Sequence, residues 1–183
     1  ALSSVLSAVA QDWNWGASPT KAQRSWKDME INLMRKDYAI AQTYCSWLLK
    51  NTPDLHVDLY KNASKIYEAR VDQEEDKPKD SQDKDLIQAL KDTALSIYDN
   101  RINYFGNEAY VLDRKGKIAY KYMYKKKSNY PALHGLYQKI VDLNGTQTNA
   151  VNVTYFVKVI VREYKYDLLT KDSTISKYLQ LHD

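Results

Sequence analysis

The intervals between Tyr38, Ala41, Cys45, Leu48, Leu49 and Pro53 recur unchanged 92 residues later, at Tyr130, Leu133, Tyr137, Ile140, Val141 and Gly145. Spacing that returns intact predicts a repeated supersecondary unit whose copies bury their apolar faces against one another. The first copy occupies residues 26–53. Trp26, Met29, Leu33 and Met34 fall on one helical face, Lys36-Asp37 form a turn, and Tyr38, Ala41, Cys45, Leu48 and Leu49 make a second face. Helices joined by so short a turn pack antiparallel, with small Ala41 at the crossing and Pro53 as the stop. The expectation is an all-α chain, a right-handed array of antiparallel helical hairpins in which four hairpins are counted.

Composition agrees with that reading. With 5 Gly and 4 Pro the chain is too poor in turn formers for a sandwich or barrel, and 27% charged residues suit amphipathic helices with wet outer faces. Sixteen Tyr against two Phe suit half-buried seams, because a Tyr ring can be buried while its hydroxyl stays wet. The single Cys excludes an internal disulfide and a thiolate metal site, and Cys45, on an apolar stripe, reads as a small core residue.

Residues 12–20, with Gly16, Pro19, Trp13 and Trp15, read as a linker or an N-terminal cap on the stack. Asp54 is the expected N-cap of a helix carrying Leu55, Leu59, Ala63, Ile66 and Tyr67. The stretch 72–85 has no apolar residue and carries Pro78, which predicts a long solvated loop. The next helix starts near Asp85 and ends at a left-handed cap on Gly106. Asn129, Pro131 and Gly145 bracket the helix of the second copy as cap, first turn and stop.

Two stretches fit both periods. Residues 108–124 place Leu112, Gly116, Ala119 and Met123 on one helical face, but AYVL-DRKG-KIAY also reads as strand-turn-strand. Long helical flanks and the lack of Cys-x-x-Cys favour helix. In 149–165, Val151 to Val161 alternate like a strand, while Ala150, Val153, Val157, Ile160, Val161 and Tyr164 satisfy helical spacing. Length decides for helix there as well. Asp172 or Ser173 is the expected cap of a last helix with Ile175, Leu179 and His182, short enough to suggest a fragment of a longer protein. Residues 1–10 have two readings: the tail of an export signal, from the small-x-small pattern Ala8-Val9-Ala10, or a first helix on the array. Residues 11–183 are read as one helical-repeat domain.

The search for chemistry yields little. His56, His134 and His182 have no second ligand at metal spacing, no Ser sits in a Gly-flanked elbow, and the Gly spacing gives no phosphate loop. No cofactor and no enzymatic activity are expected. A net charge of +4 does not by itself call for nucleic acid, but it is unevenly spread: residues 111–130 hold seven basic residues and one acid. Arg114, Lys125, Lys126 and Lys127 are the expected contacts for an anionic patch, whether on nucleic acid or on a membrane surface. Trp26, Glu30, Asn62, Lys65, Lys117 and Lys121 are the expected lining of a groove for another protein.

The motif Tyr38-x2-Ala41-x3-Cys45-x2-Leu48-Leu49-x3-Pro53 resembles the second half of a tetratricopeptide repeat, with Trp26 and Met29 where its first helix has Trp and Leu. Leu48 and Cys45 depart from the usual Ala and aromatic. Residues 97–106 (IYDNRINYFG), 111–117 (VLDRKGK) and Tyr155-Phe156 are similar to exported tetratricopeptide-like proteins of Bacteroidetes. The resemblance implies an α-solenoid that serves as an adaptor or scaffold of the cell envelope, exported to the periplasm or outer envelope and without catalytic residues.

Overall fold

A computed structural model of the chain describes residues 13–180. Eight α-helices follow one another: α1 (Pro19–Met34), α2 (Tyr38–Asn51), α3 (Val57–Glu75), α4 (Lys84–Phe105), α5 (Glu108–Met123), α6 (Tyr130–Asn144), α7 (Ala150–Lys165) and α8 (Lys171–Gln180). No strand occurs among the described residues, so both ambiguous stretches are helical. The helices pack in neighbouring pairs, an arrangement compatible with a helical repeat.

The 92-residue echo has a structural counterpart. Helix α2 begins at Tyr38 and α6 at Tyr130, and the same three positions are buried in each: Ala41, Cys45 and Leu48 in one, Leu133, Tyr137 and Ile140 in the other. Only the stops differ in kind. Pro53 lies beyond α2, whereas Gly145 ends α6 at φ +50, a left-handed geometry that suits a residue without a Cβ.

The chain divides into two compact units, one ending at Ile97 and the other starting at Tyr98. In the first, α1 packs on α2, α2 on α3, and α1 also meets α3. Its core is apolar and built around small residues: Ala22, Ala41, Cys45 and Ala63 are fully buried with Met29, Leu48, Leu59 and Ile66. Burial pushes the Cys45 thiol up to about 12, which suits the packing role read from the sequence. Trp13 stacks on Trp15 and on His56 and meets Trp26 edge-on, closing one edge of the unit.

Two sequence expectations are corrected here. The cap of α3 is His56, whose Nδ1 accepts from the Asp58 amide at 3.2 Å, while Asp54 accepts from Asn14 Nδ2 at 2.7 Å. The polar stretch 72–85 is not all loop. Helix α3 continues through Glu75 because Val71 and Glu74 are buried, Glu74 held by Lys77 at 2.6 Å and Arg70 at 3.4 Å. The Lys77 hydrogen bond keeps the Glu74 carboxyl below the usual range. Lys91 then ties α4 to α3 through Glu75 at 2.5 Å, leaving residues 76–83 as the connection.

In the second unit α5 packs on α6, α6 on α7, α5 also meets α7, and α8 follows against α7. Gly116 is where α5 lies closest to its neighbours. A Cβ there would fall 2.6 Å from Asn152 Oδ1 and 2.9 Å from Ile140 Cδ1. Its carbonyl also accepts from the buried Tyr137 hydroxyl at 2.8 Å. Helix α7 presents a different face from the one its valines predict: Asn152, Phe156, Val159, Ile160 and Glu163 are buried, while Val161 and Tyr164 are 53% and 47% exposed. Polar partners explain the rotation. Asn152 donates to the Asp113 carbonyl at 2.6 Å and its carboxylate at 2.8 Å, and Glu163 meets His134 Nδ1 at 2.5 Å. Asn129 sits at the cap position of α6, but its side chain donates to Met123 O at 3.0 Å. Thr170, rather than Asp172 or Ser173, caps α8, accepting from the Ser173 amide at 3.2 Å. The readings of residues 1–10 and of His182 lie outside the described residues.

Candidate functional site

The surface of the second unit where α5 and α7 meet is paved with tyrosine. Tyr120 and Tyr155 stack at 3.8 Å and 6°, Tyr124 stacks on Tyr120 at 4.2 Å, Tyr130 is 5.8 Å from Tyr124, and Tyr166 is 5.9 Å from Tyr130. Helical spacing builds this row. Tyr120 and Tyr124 are one turn apart on α5, and Tyr155 faces them from α7. Burial, with the Tyr124 hydroxyl beside it, holds the Tyr120 phenol well above its ordinary range, and burial does the same for Tyr130 and Tyr137.

Cations lie over this pavement. Lys158 Nζ is 5.8 Å from the Tyr155 ring and 5.9 Å from Tyr120, Arg162 is 5.7 Å from Tyr124, and Lys127 is 5.0 Å from Tyr166. Arg162 Nε donates to the Tyr124 hydroxyl at 3.1 Å, and that bond raises the guanidinium further. Along the outer side of α5, Tyr110, Arg114, Lys117 and Lys121 are exposed one per turn. Arg114 folds onto Tyr110, its Nε 2.7 Å from the hydroxyl. Lys125 and Lys126 follow, also exposed.

The acids of α5 are directed elsewhere, which leaves that stripe cationic. Asp113 accepts from the Asn149 amide at 3.2 Å as well as from Asn152, and Glu108 pairs with Lys139 at 2.5 Å. Lys115 is paired with Asp99 at 2.6 Å. Among the described residues no carboxylate pairs with Arg114, Lys117, Lys125, Lys126, Lys127, Lys158, Arg162 or Lys165. From Tyr98 onward the chain holds 14 basic and 8 acidic residues, against 13 and 15 before it.

The expected patch contacts Arg114, Lys125, Lys126 and Lys127 therefore lie on or beside one surface, as do Lys117 and Lys121 from the expected groove. The other groove residues belong to the first unit. Glu30 and Lys65 are exposed, Asn62 is half-buried, and Trp26 is 8% exposed, its ring turned into the aromatic cluster with Trp13. That unit also has an open groove of about 530 Å³ lined by Thr20, Lys21, Arg24, Ser25, Asp28 and Tyr44, where Asp28 partly neutralises Arg24 at 3.7 Å.

Sequence reasoning missed the contribution of α7. Tyr155, Lys158 and Arg162 follow at i, i+3 and i+7, a signal that was legible but was obscured by the alternating valines between them. Among the described residues no group of His, Cys, Asp or Glu is arranged to hold a metal, and no helix is long and apolar enough to cross a membrane. His134 and Glu163 are joined below the surface, with Phe156 edge-on to the imidazole at 5.1 Å, and their burial suits a packing role. Comparison with protein-family models and with curated proteins found no match.

Proposed function

We propose that the protein is a non-catalytic adaptor or scaffold of the tetratricopeptide-like α-solenoid kind, and that the α5/α7 surface holds an acidic segment of a partner protein. One observation carries the reading: a helix-long cationic stripe, with the helix's own acids engaged by Asn149, Asn152 and Lys139, beside stacked tyrosines that bear two more cations. Exposed Lys and Arg without local counter-ions attract an acidic partner over a Debye length of ~8 Å at physiological salt and raise its rate of encounter. The tyrosines add amphipathic contact area. A single nucleic-acid strand is the weaker fit, because Tyr120, Tyr124 and Tyr155 already spend their ring faces on one another and on cations, and base stacking needs open faces. A place in the cell envelope rests on the sequence resemblance and on the export-signal reading of residues 1–10.

The test is fluorescence anisotropy with a labelled oligoglutamate peptide. Saturable binding is expected, weakening as salt is raised, lost with Lys117→Glu plus Lys158→Glu, and retained with Lys65→Glu on the first unit. Binding that ignores salt, or that survives the double substitution, removes the reading. Tighter binding of a single-stranded oligonucleotide of equal charge would transfer the surface to nucleic acid.

A further inference from the structure

We propose that one end of this surface, where Arg162, Tyr124, Tyr130, Tyr166 and Lys127 come together, seats a phosphate monoester carried by the bound segment. The inference rests on the reading of the α5/α7 face as the binding surface and adds what that surface selects.

Arg162 uses Nε on the Tyr124 hydroxyl at 3.1 Å, which fixes the plane of the guanidinium and leaves its two terminal nitrogens without a protein partner. The Tyr130 ring is buried, while its hydroxyl makes no hydrogen bond among the described residues and is not closed off from solvent. The Tyr130 ring lies 5.8 Å from Tyr124 and 5.9 Å from Tyr166, and Arg162 is bonded to Tyr124, so the four groups share one neighbourhood. Burial keeps the Tyr130 hydroxyl protonated and able to donate. Lys127 brings an ammonium to the outer side of the Tyr166 ring at 5.0 Å.

Among the described residues no carboxylate pairs with Arg162 or Lys127. Glu163 follows Arg162 in sequence but is buried and joined to His134. The donor set also discriminates between anions. A carboxylate offers two coplanar oxygens, whereas a phosphate monoester offers three terminal oxygens and close to two charges. A planar guanidinium edge, a phenol and an ammonium approaching from different helices match the second better than the first.

The experiment compares, on the full chain, an acidic peptide carrying one phosphoserine with the same peptide carrying two extra aspartates in its place, so that net charge is equal. The phosphopeptide is expected to bind tighter, on the order of tenfold. Arg162→Lys and, separately, Tyr130→Phe should abolish that preference while leaving the affinity for the aspartate peptide nearly unchanged. Tyr130→Phe keeps the ring, so loss of folding does not enter. Equal affinities in the native protein, or a preference that survives both substitutions, overturns the proposal. A third arm adds inorganic phosphate alone and follows thermal unfolding. If neither peptide binds but phosphate stabilises the native protein and not Tyr130→Phe, the anion seat stands and the partner-segment reading falls. If neither peptide binds and phosphate has no effect, both fall.

Discussion

The two units share a helical plan and differ in what occupies equivalent places. In the first, α2 puts Ala41 and Cys45 at positions where α6 of the second has Leu133 and Tyr137. Small residues allow close helix contact held by shape. Around the larger ones polar groups complete the packing: Tyr137 on Gly116, Asn152 on Asp113, His134 on Glu163. Charge follows the same division. The first unit pairs Arg24, Lys61, Arg70, Lys77 and Lys91 with its own acids and holds more acids than bases, whereas the second holds 14 bases and 8 acids. A net charge of +4 hides this, because the acid excess of the first unit offsets part of the basic excess of the second.

The largest test of the contrast is His134→Leu. Leaving Glu163 buried without its partner should cost ~3–5 kcal/mol in urea unfolding. The double change with Glu163→Leu should recover most of that loss. A small effect of the single change would mean that the second unit, like the first, is held mainly by shape. Gly116→Ala comes next. The added methyl meets Asn152 and Ile140 at sub-contact distance and should cost ~1–3 kcal/mol, with hydrogen exchange rising in α5 and α6 before α1 and α2.

Acid and alkali should load the units differently. Tyr120, Tyr130 and Tyr137 have phenols held above the ordinary value, so their contribution is intact below ~10 and is lost as pH rises through the folded values. Phenolate absorbance should follow that loss in the second unit, while buried Cys45, pushed up to about 12, and Tyr67 weaken the first in the same direction. Glu74 in the first unit runs the other way. Its lowered carboxyl stabilises above the ordinary ~4.3 and fails as pH falls through its folded value, and Glu74→Gln should flatten that acid limb. The smallest expected effect is a gain. Gly135→Ala, on α6 with nothing within 4 Å of the new methyl, should stabilise by ~0.5–1 kcal/mol. A loss there would show that α6 is more crowded than α2 on both faces.

How much of this was legible in the sequence depended on whether a local rule governed it. The start of α2 and α6, the close approach at Gly116 and the left-handed stop at Gly106 followed from spacing and glycine alone. The inward face of α7 did not, because Asn152 and Glu163 go inside only when Asp113 and His134, distant in sequence, are there to receive them. The continuation of α3 into the polar stretch was hidden for the same reason, Glu74 being buried against Arg70 and Lys77. For the candidate surface, the lysines of α5 were visible as a charge run. What was not visible was that Asp113 and Glu108 would be withdrawn from it, or that α7 would supply Lys158 and Arg162.

Gly116 bears on inheritance as well as on packing. Its bare Cα admits Ile140 and Asn152, and its carbonyl receives Tyr137. A descendant that duplicated or transplanted this pair of helices would have to carry all four residues as a set, since any one moved alone leaves a clash or an unanswered polar group. Substitutions here should therefore spread jointly or not at all, giving four positions scattered over 37 residues the behaviour of a single letter.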